Sequence, residues 1–252
     1  MLTYIFWNPD PIIFTLGPFA FRWYGLTWAI GTFCAYLFFQ YIHRSENKDV
    51  RLASRLFEYL FIGSLLGARL GAVIFYELDY FLQNPLEIFQ VWKGGLASHG
   101  GGIGMILAIL LFIRRHPQYS FWWILDRLSI ITFFGAGIVR LGNLMNSEIV
   151  GKPTTLSWAF IFEKVDELPR HPSTLYEAIF SFALFALLFN WYRQGKYRGA
   201  GCLTGWGFVL GFTGRTLLEF FKESALTTQL LNIPFILVGL YLIFRCRQNA
   251  VN

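Results

Sequence analysis

Seven long apolar stretches, separated by short segments rich in polar residues, Gly or Pro, constrain the fold of this chain more than any other feature. A helix needs about 20 mostly apolar residues to cross a bilayer. The third stretch is short, but the Gly-rich run that begins at Gly94 is expected to extend it at membrane depth, where irregular backbone is tolerated if it is buried in protein. The sequence therefore predicts an all-α, polytopic membrane helix bundle of about seven transmembrane helices. The stretches cover residues 20–42, 56–78, 101–113, 121–141, 173–192, 201–221 and 229–245.

Composition agrees with a membrane location. Of the 252 residues, 55% are hydrophobic and 14% are charged, whereas about a quarter of a soluble domain is charged. No internal repeat, low-complexity tract or linker divides the chain, so residues 1–252 are predicted to form a single integral membrane domain. Cys34, Cys202 and Cys246 lie far apart without metal-ligand spacing, and neither a disulfide framework nor a zinc site is predicted.

The distribution of basic residues predicts the topology. The formal net charge is +6, but the basic residues are dispersed between apolar runs, which argues against nucleic acid as a partner. Alternate loops on one side hold 11 of the 21 Lys and Arg residues, and those on the other side hold 5. By the positive-inside rule, the N-terminus lies outside, the C-terminus is cytoplasmic, and the long loops 79–100 and 142–172 lie on the outer face. The basic loops are residues 43–55, 114–120, 192–200 and 245–252.

Five arginines lie within or beside the predicted spans. An arginine at mid-bilayer costs roughly 2.5 to 3.5 kcal/mol on insertion scales, so each must be paired, hydrated or bound to an anion. The spacing of Arg215 and Glu219 allows a local ion pair, and Asp126, Glu58 and Glu177 are further candidate partners. Structural pairing and anion binding both remain open. The five are Arg22, Arg69, Arg127, Arg140 and Arg215.

The segment VRLGNLMNSEIVG combines one of these arginines with polar residues at a helix exit. Arg140 and Asn143 share a face while the helix lasts. The planar guanidinium fork suits phosphate, and glycine at the helix end lets backbone approach a ligand closely. The alternative is an ordinary polar helix cap. The segment contains Arg140, Asn143, Asn146, Glu148 and Gly151.

A histidine adjoins the Gly-rich segment LASHGGGIG. This segment is neither a phosphate loop nor a dinucleotide fingerprint, since the required lysine and βαβ context are missing. Its glycines are expected to permit close helix packing, as are Gly63, Gly67 and Gly71 at their four-residue spacing. His99 is either a structural hydrogen-bonding residue or a catalytic one.

Two further residues have both a functional and a structural interpretation. His171, in LPRHPSTLYE, lies at the outer end of a predicted helix that Ser173 starts, where it either lines a polar cavity or takes part in capping and packing. Tyr24, in RWYGL, lies where aromatic belts often place tyrosine.

Taken in order, RWYGL, GARLG, SHGGGIG, RLGNLMNSEIVG, LPRHPSTLYE and RTLLEFF resemble bacterial phosphatidylglycerol:prolipoprotein diacylglyceryl transferases, from about residue 20 to residue 245. The resemblance implies a monomeric, seven-span enzyme of the bacterial inner membrane, with its active site toward the periplasm. Such enzymes move a diacylglyceryl group from phosphatidylglycerol to the lipobox cysteine in the signal peptide of a preprolipoprotein and release glycerol phosphate. The resemblance implies no cofactor and no metal.

The resemblance also assigns roles to single residues. It implies catalytic roles for Tyr24, His99, Arg140 and Arg215. It implies phosphatidylglycerol binding by Arg140, Asn143, Asn146, Glu148, Gly151, Arg215 and His171.

The sequence departs from the family pattern at several positions. Val139 stands where the family usually has glycine, Leu144 where it usually has phenylalanine, and a tyrosine is missing from GFTGR. A divergent transferase with altered lipid or acceptor preference is therefore one alternative. The other is a transporter for an anionic solute, although the inverted repeats typical of transporters are not found. A purely structural protein would not need the polar cluster, and a serine protease would need a nucleophile motif such as GxSxG, which is absent.

Overall fold

The computed structural model describes residues 4–91, 94–197, 199–223 and 230–251, and this part of the chain is mostly helical. A helix lies in each of the seven apolar stretches, as predicted. Within the described residues, four helices are long and apolar enough to cross a membrane: Trp23–Ser45, Val50–Phe75, Phe121–Met145 and Ser173–Arg193. The helices are α1 (Trp23–Ser45), α2 (Val50–Phe75), α3 (Leu78–Gln83), α4 (Ser98–Arg115), α5 (Phe121–Met145), α6 (Ser173–Arg193), α7 (Cys202–Glu219) and α8 (Ile233–Val251), with a short 3₁₀ helix at Pro85–Phe89.

Short strands correct the prediction of an all-α chain. In one sheet, β1 (Ile5–Trp7) runs parallel to β4 (Phe160–Phe162), and β4 runs antiparallel to β5 (Pro169–Arg170). The remaining two strands form an antiparallel hairpin directly before α1. These strands have sequences, such as IIFTL and FIF, with no alternation of apolar and polar residues, so a period-two pattern does not reveal them. They are β1 (Ile5–Trp7), β2 (Ile12–Leu16), β3 (Phe19–Arg22), β4 (Phe160–Phe162) and β5 (Pro169–Arg170).

The chain forms two compact units. One contains the chain up to Ala35 together with the chain from Leu125 onward, and the other is Tyr36–Ile124. Within the second unit, α2 packs closely along α4. A Cβ atom on Gly71 would lie 2.7 Å from the Cα of Gly100, so a larger residue would force the helices apart. The packing role predicted for the regularly spaced glycines of α2 is confirmed.

Arg69, on α2, braces the segment that precedes α4. Its Nε donates to the carbonyl of Ile88 at 2.8 Å, and Nη2 donates to the carbonyl of Glu87 at 2.5 Å. Nη1 donates to the carbonyls of Gly94 and Gly95 at 2.7 and 3.0 Å. Backbone carbonyls therefore satisfy this guanidinium, which selects the structural alternative for Arg69.

In the first unit, α5 fixes the start of α7. The carboxylate of Asp126 accepts hydrogen bonds from the backbone N–H of Gly201 at 3.0 Å and of Thr204 at 2.9 Å. The Thr204 hydroxyl also donates to it at 2.8 Å. Asp126 thus caps the otherwise unsatisfied N–H groups at this helix end. Cys202 of α7 and Cys246 of α8 are paired as a disulfide, although the sequence alone predicts no disulfide framework.

A small apolar core holds the three-stranded sheet against the end of α5. The indole N–H of Trp7 donates to the carbonyl of Leu144 at 2.9 Å, and the buried Leu144 side chain packs with Phe160 and Phe162. Leu144, one of the departures from the pattern of the resembled family, therefore belongs to this core. This packing fixes the point from which the polar segment 146–151 leaves the helix.

Candidate active site in the first unit

A cavity of about 310 Å³ lies among α5, α6 and α7. Arg140, Glu177 and Arg215 supply its charged lining, and most of the remaining wall is apolar. A site with apolar walls and two guanidinium groups suits an amphiphile with an anionic head. The apolar part of the wall includes Leu125, Leu128, Phe133, Ala136, Phe180, Phe208, Phe212 and Leu218.

Polar residues of the predicted cluster form a continuous relay, in which Arg140 is ion-paired with Glu177 and the other contacts are hydrogen bonds. Arg140 Nε lies 2.8 Å from Glu177 Oε2, and Arg140 Nη1 donates to Asn143 Oδ1 at 3.2 Å. Asn143 Nδ2 donates to Glu148 Oε2 at 2.8 Å, and Asn146 Nδ2 donates to Glu148 Oε1 at 3.1 Å. The structure thus brings together the side chains of four predicted site residues and adds Glu177, which orients the guanidinium.

A strained turn lets Glu148 reach back to Asn143. Ser147 and Ile149 have φ angles of 54° and 53°, a region that β-branched residues rarely adopt. The backbone N–H of Glu148 donates to the carbonyl of Asn143 at 2.9 Å, and the Ser173 hydroxyl holds the carbonyl of Ile149 at 2.7 Å. Backbone strain of this kind persists where the surroundings enforce it, typically at functional sites.

Gly151 makes its close approach to the chain itself. A Cβ atom at this position would lie 2.6 Å from the carbonyl oxygen of His171 and 2.7 Å from that of Phe221. The adjacent Lys152 donates its backbone N–H to the Phe221 carbonyl at 2.8 Å and accepts from the His171 N–H at 3.0 Å. Gly151 therefore has a packing role, since three chain segments meet here, and its part in phosphatidylglycerol binding stays a prediction.

The side chain of His171 packs next to the point where the segments of Gly151, His171 and Phe221 meet. Its Nδ1 lies 3.3 Å from the hydroxyl of Tyr176, which also accepts from the indole N–H of Trp158 at 2.9 Å. The rings of His171 and Phe221 meet edge to face, with centroids 5.0 Å apart. Burial lowers the pKa of His171 below the usual histidine value, because the charged form loses hydration.

The end of α7 adds two charged residues to the site. Arg215 Nε lies 3.9 Å from Glu219 Oε1, so the predicted local pair is confirmed. Lys222 Nζ lies 3.8 Å from the same oxygen and 2.5 Å from Glu177 Oε1. Sequence reasoning missed Lys222, although its position three residues after Glu219 was a signal for an ion pair.

Tyr24 lies beside the cluster. It is in the first turn of α1, and a Cβ atom on Gly142 would lie 3.2 Å from Tyr24 Cδ2 and 2.6 Å from Thr27 Oγ1. The start of α1 therefore packs against the last turns of α5, directly before Asn143. This placement supports a role in orienting site residues.

The other predicted residues lie elsewhere. His99 is exposed in the first turn of α4, within the Tyr36–Ile124 unit, and its catalytic role stays a prediction. The guanidinium of Arg127 lies 5.6 Å from the ring centroid of Tyr192. In the described parts of the chain, no three His, Cys, Asp or Glu side chains gather as a metal site would require.

Comparison with known proteins gives a consistent result. A sequence profile of the family described as prolipoprotein diacylglyceryl transferase matches residues 11–245. A relative from Tolumonas auensis is 45% identical over 247 residues, covering 94% of this chain and 96% of the relative. One from Chloroherpeton thalassium is 44% identical over 260 residues, with 98% and 96% covered. Both are named phosphatidylglycerol--prolipoprotein diacylglyceryl transferase. The chain therefore belongs to the prolipoprotein diacylglyceryl transferase family.

Proposed function

We propose that this protein transfers the diacylglyceryl group of phosphatidylglycerol to the lipobox cysteine thiol of preprolipoproteins, which is the first step of lipoprotein maturation. The observation that carries the proposal is the apolar cavity lined by Arg140 and Arg215 in a member of this family. Acyl chains fit the apolar wall, and the phosphodiester fits the two guanidinium groups, which bind phosphate oxygens through paired N–H donors.

The reaction is a displacement at carbon. The cysteine sulfur attacks the glycerol carbon that carries the phosphate ester, and a carbon–sulfur thioether bond forms. The carbon–oxygen bond to phosphate breaks, and its electron pair leaves on the oxygen of glycerol phosphate. Negative charge on the phosphate grows as this bond breaks, so Arg140 and Arg215 stabilise the transition state more than the bound lipid.

The thiol needs a proton acceptor. A cysteine thiol with a pKa near 8.5 is only slightly ionised at neutral pH, so a nearby base accelerates the attack. We assign this role to His99, whose imidazole nitrogen can accept a proton. We assign to Tyr24 the role of orienting the base or the substrate. The alternative acceptor is a phosphate oxygen of the lipid itself.

The remaining predicted residues support the two arginines. Asn143 and Glu148 hold Arg140 through the relay, and Asn146 fixes the second oxygen of Glu148. Gly151 and His171 keep the chain segments around this relay in register. The proposal needs no metal and no cofactor, because arginine supplies the positive charge.

We propose that the protein is a monomer and that its chain forms a single multi-pass domain in the bacterial inner membrane. Seven helices cross it, with the N-terminus outside, the C-terminus cytoplasmic and the active site toward the periplasm. The bias of Lys and Arg toward alternate loops supports this orientation. A helix in every apolar stretch is consistent with the number of spans.

Reconstitution tests the reaction. Purified full-length protein is incubated with labelled phosphatidylglycerol and a lipobox peptide, and a peptide with Ser in place of Cys serves as the control. We expect thioether-linked lipid on the cysteine peptide alone, with glycerol phosphate released in equal amount. Solute flux into vesicles without peptide modification would favour the transporter alternative instead.

A further inference from the structure

The cavity among α5, α6 and α7 is a long groove. Its lining residues on α5 recur every three or four positions, which places them on one face of that helix. The first is Leu125 and the last is Arg140. Fifteen residues separate them, which is about 22 Å of helix at a rise of about 1.5 Å per residue. On α7 the lining likewise runs from Thr204 to Leu218.

The charged side chains of the lining lie at one end of this groove. Arg140 is the last lining residue on α5, and Glu177 is paired with it at 2.8 Å. Arg215 lies one helical turn before the last lining residue on α7. The groove therefore has a polar end and a long apolar part, as a phospholipid has.

The groove ends where α5 and α7 are joined. The carboxylate of Asp126 accepts from the N–H of Gly201 at 3.0 Å and from the N–H and hydroxyl of Thr204 at 2.9 and 2.8 Å. Seven residues further along each helix, the Phe133 ring lies against Gly211, where a Cβ atom would be 2.7 Å from Phe133 Cζ. The two helices therefore run side by side in the same direction, and the link at Asp126 fixes the far end of the groove.

The width of the groove suits one hydrocarbon chain. Spread over about 22 Å of helix, the cavity volume of about 310 Å³ leaves a cross-section of about 14 Å². Carbon atoms of neighbouring chains pack about 4 Å apart, so one extended chain occupies about 16 Å². Two acyl chains therefore cannot lie side by side in it.

We propose that one acyl chain of the donor phospholipid lies extended in this groove, and that the side chains at its far end set the chain length that the protein prefers. These side chains are Leu125, Leu128 and Ser129. The inference rests on the proposed function, because it takes the phosphate to bind at Arg140 and Arg215. The second acyl chain stays in the bilayer.

The dimensions of the groove give the preferred length. With a carbon–carbon bond of about 1.5 Å and a bond angle of about 111°, each bond of an extended chain advances about 1.25 Å. About 18 bonds therefore reach from the level of Arg140 to that of Leu125. About five of these bonds belong to the glycerol and the ester, so an acyl chain of about 14 carbons reaches the far end. A longer chain must bend or leave the groove.

Ser129→Leu tests the far end by filling it. Ser129 lies four residues after Leu125, so a larger side chain here shortens the groove by about 6 Å, or about five bonds. The Ser129 hydroxyl donates within α5, to the carbonyl of Asp126 at 2.8 Å. Its loss therefore leaves the link between Asp126 and Thr204 in place.

Two further variants complete the set. Leu125→Ala removes part of the far end and lengthens the groove. Ser64→Leu on α2 is the matched control, because the Ser64 hydroxyl also donates to the carbonyl three residues earlier, at 2.9 Å. Ser64 does not line the cavity.

The full-length variants are tested with phosphatidylglycerols that have two saturated chains of equal length, over a series of lengths. Binding is measured by competition with a fluorescent phosphatidylglycerol, and transfer to a lipobox peptide is measured in parallel. For the wild type we expect tightest binding near about 14 carbons, and about tenfold weaker binding for chains about six carbons longer. We expect Ser129→Leu to move the optimum about five carbons shorter. Leu125→Ala should move it longer, and Ser64→Leu should keep the wild-type optimum.

A folded Ser129→Leu protein with the wild-type optimum overturns the inference, and so does a wild type that binds all chain lengths equally. If Ser129→Leu does not fold, Leu125→Ala decides: a longer optimum supports the inference, and an unchanged one refutes it. A lipid with one chain of optimal length and one longer chain should bind like the optimal lipid, whereas binding as weak as that of the longer lipid would refute a groove for one chain. Absence of transfer by the wild type would refute the proposed function, but the binding series would still test the groove.

Discussion

The backbone N–H of Gly151 donates to the carbonyl oxygen of His171 at 3.0 Å, and no space remains between the two residues for a side chain at position 151. The carbonyl oxygen of Phe221, which follows α7, also lies close to Gly151. Gly151 therefore links the polar relay to the end of α7. It thus holds three segments of the site together.

Gly151→Ala is expected to destabilise the protein by about 1–3 kcal/mol, since the new Cβ atom must displace backbone atoms rather than a flexible side chain. The displacement reaches Lys222 and lowers transfer as well. Denaturant unfolding and transfer assays measure the two effects. Gly135→Ala on α5 is the matched control because its Cβ meets nothing within 4 Å. Wild-type stability and transfer by Gly151→Ala would contradict the packing role.

Arg140→Ala is expected to lower kcat/KM for transfer by at least about 10²-fold, the magnitude typical when one preorganised charge-stabilising group is lost. The protein should still insert into the membrane, which fractionation checks. Arg140→Lys should recover only part of the activity, because an ammonium group cannot contact Glu177 and Asn143 in the same forked geometry. Normal transfer by a correctly inserted Arg140→Ala protein would remove Arg140 from the mechanism.

Asn143 and Glu148 are expected to act as one unit on Arg140. Asn143→Ala breaks the relay at its centre, and Glu148→Gln weakens its charged end. Their effects on the free energy of activation should therefore be less than additive, with a coupling of about 0.5–3 kcal/mol. A double-mutant cycle on kcat/KM measures this coupling. Strictly additive effects would show that Glu148 does not act through Asn143.

Local spacing was enough to predict part of the site. Arg140 and Asn143 lie three residues apart on a helix, and Arg215 and Glu219 lie four apart, so helical geometry alone brings each pair together. The apolar stretches likewise predicted the helices, since hydrophobic length is a property of the sequence itself.

Contacts between distant segments were not predictable in this way. The pairing of Lys222 with Glu177 depends on how α6 and the end of α7 meet, and a single lysine after a helix shows no periodicity. The same holds for the pairing of Ile5 with Phe160 in the three-stranded sheet. The positive φ of Ile149 could not be predicted from the sequence either, because tertiary contacts enforce a conformation that the residue type disfavours.

The lowered pKa of His171 predicts how stability depends on pH. Burial disfavours the imidazolium form in the folded protein, so between the folded pKa and the ordinary value near 6.5 the unfolded chain binds more protons. Stability should therefore decrease as the pH falls below about 6.5 and stop decreasing, for this group, below the folded pKa. His171→Gln should flatten this part of the profile, as measured by melting temperature between about pH 5 and 7.5. Tyr176→Phe removes a neighbouring hydroxyl but keeps the imidazole, so it should retain the slope. An unchanged slope in His171→Gln would assign the pH dependence to another group.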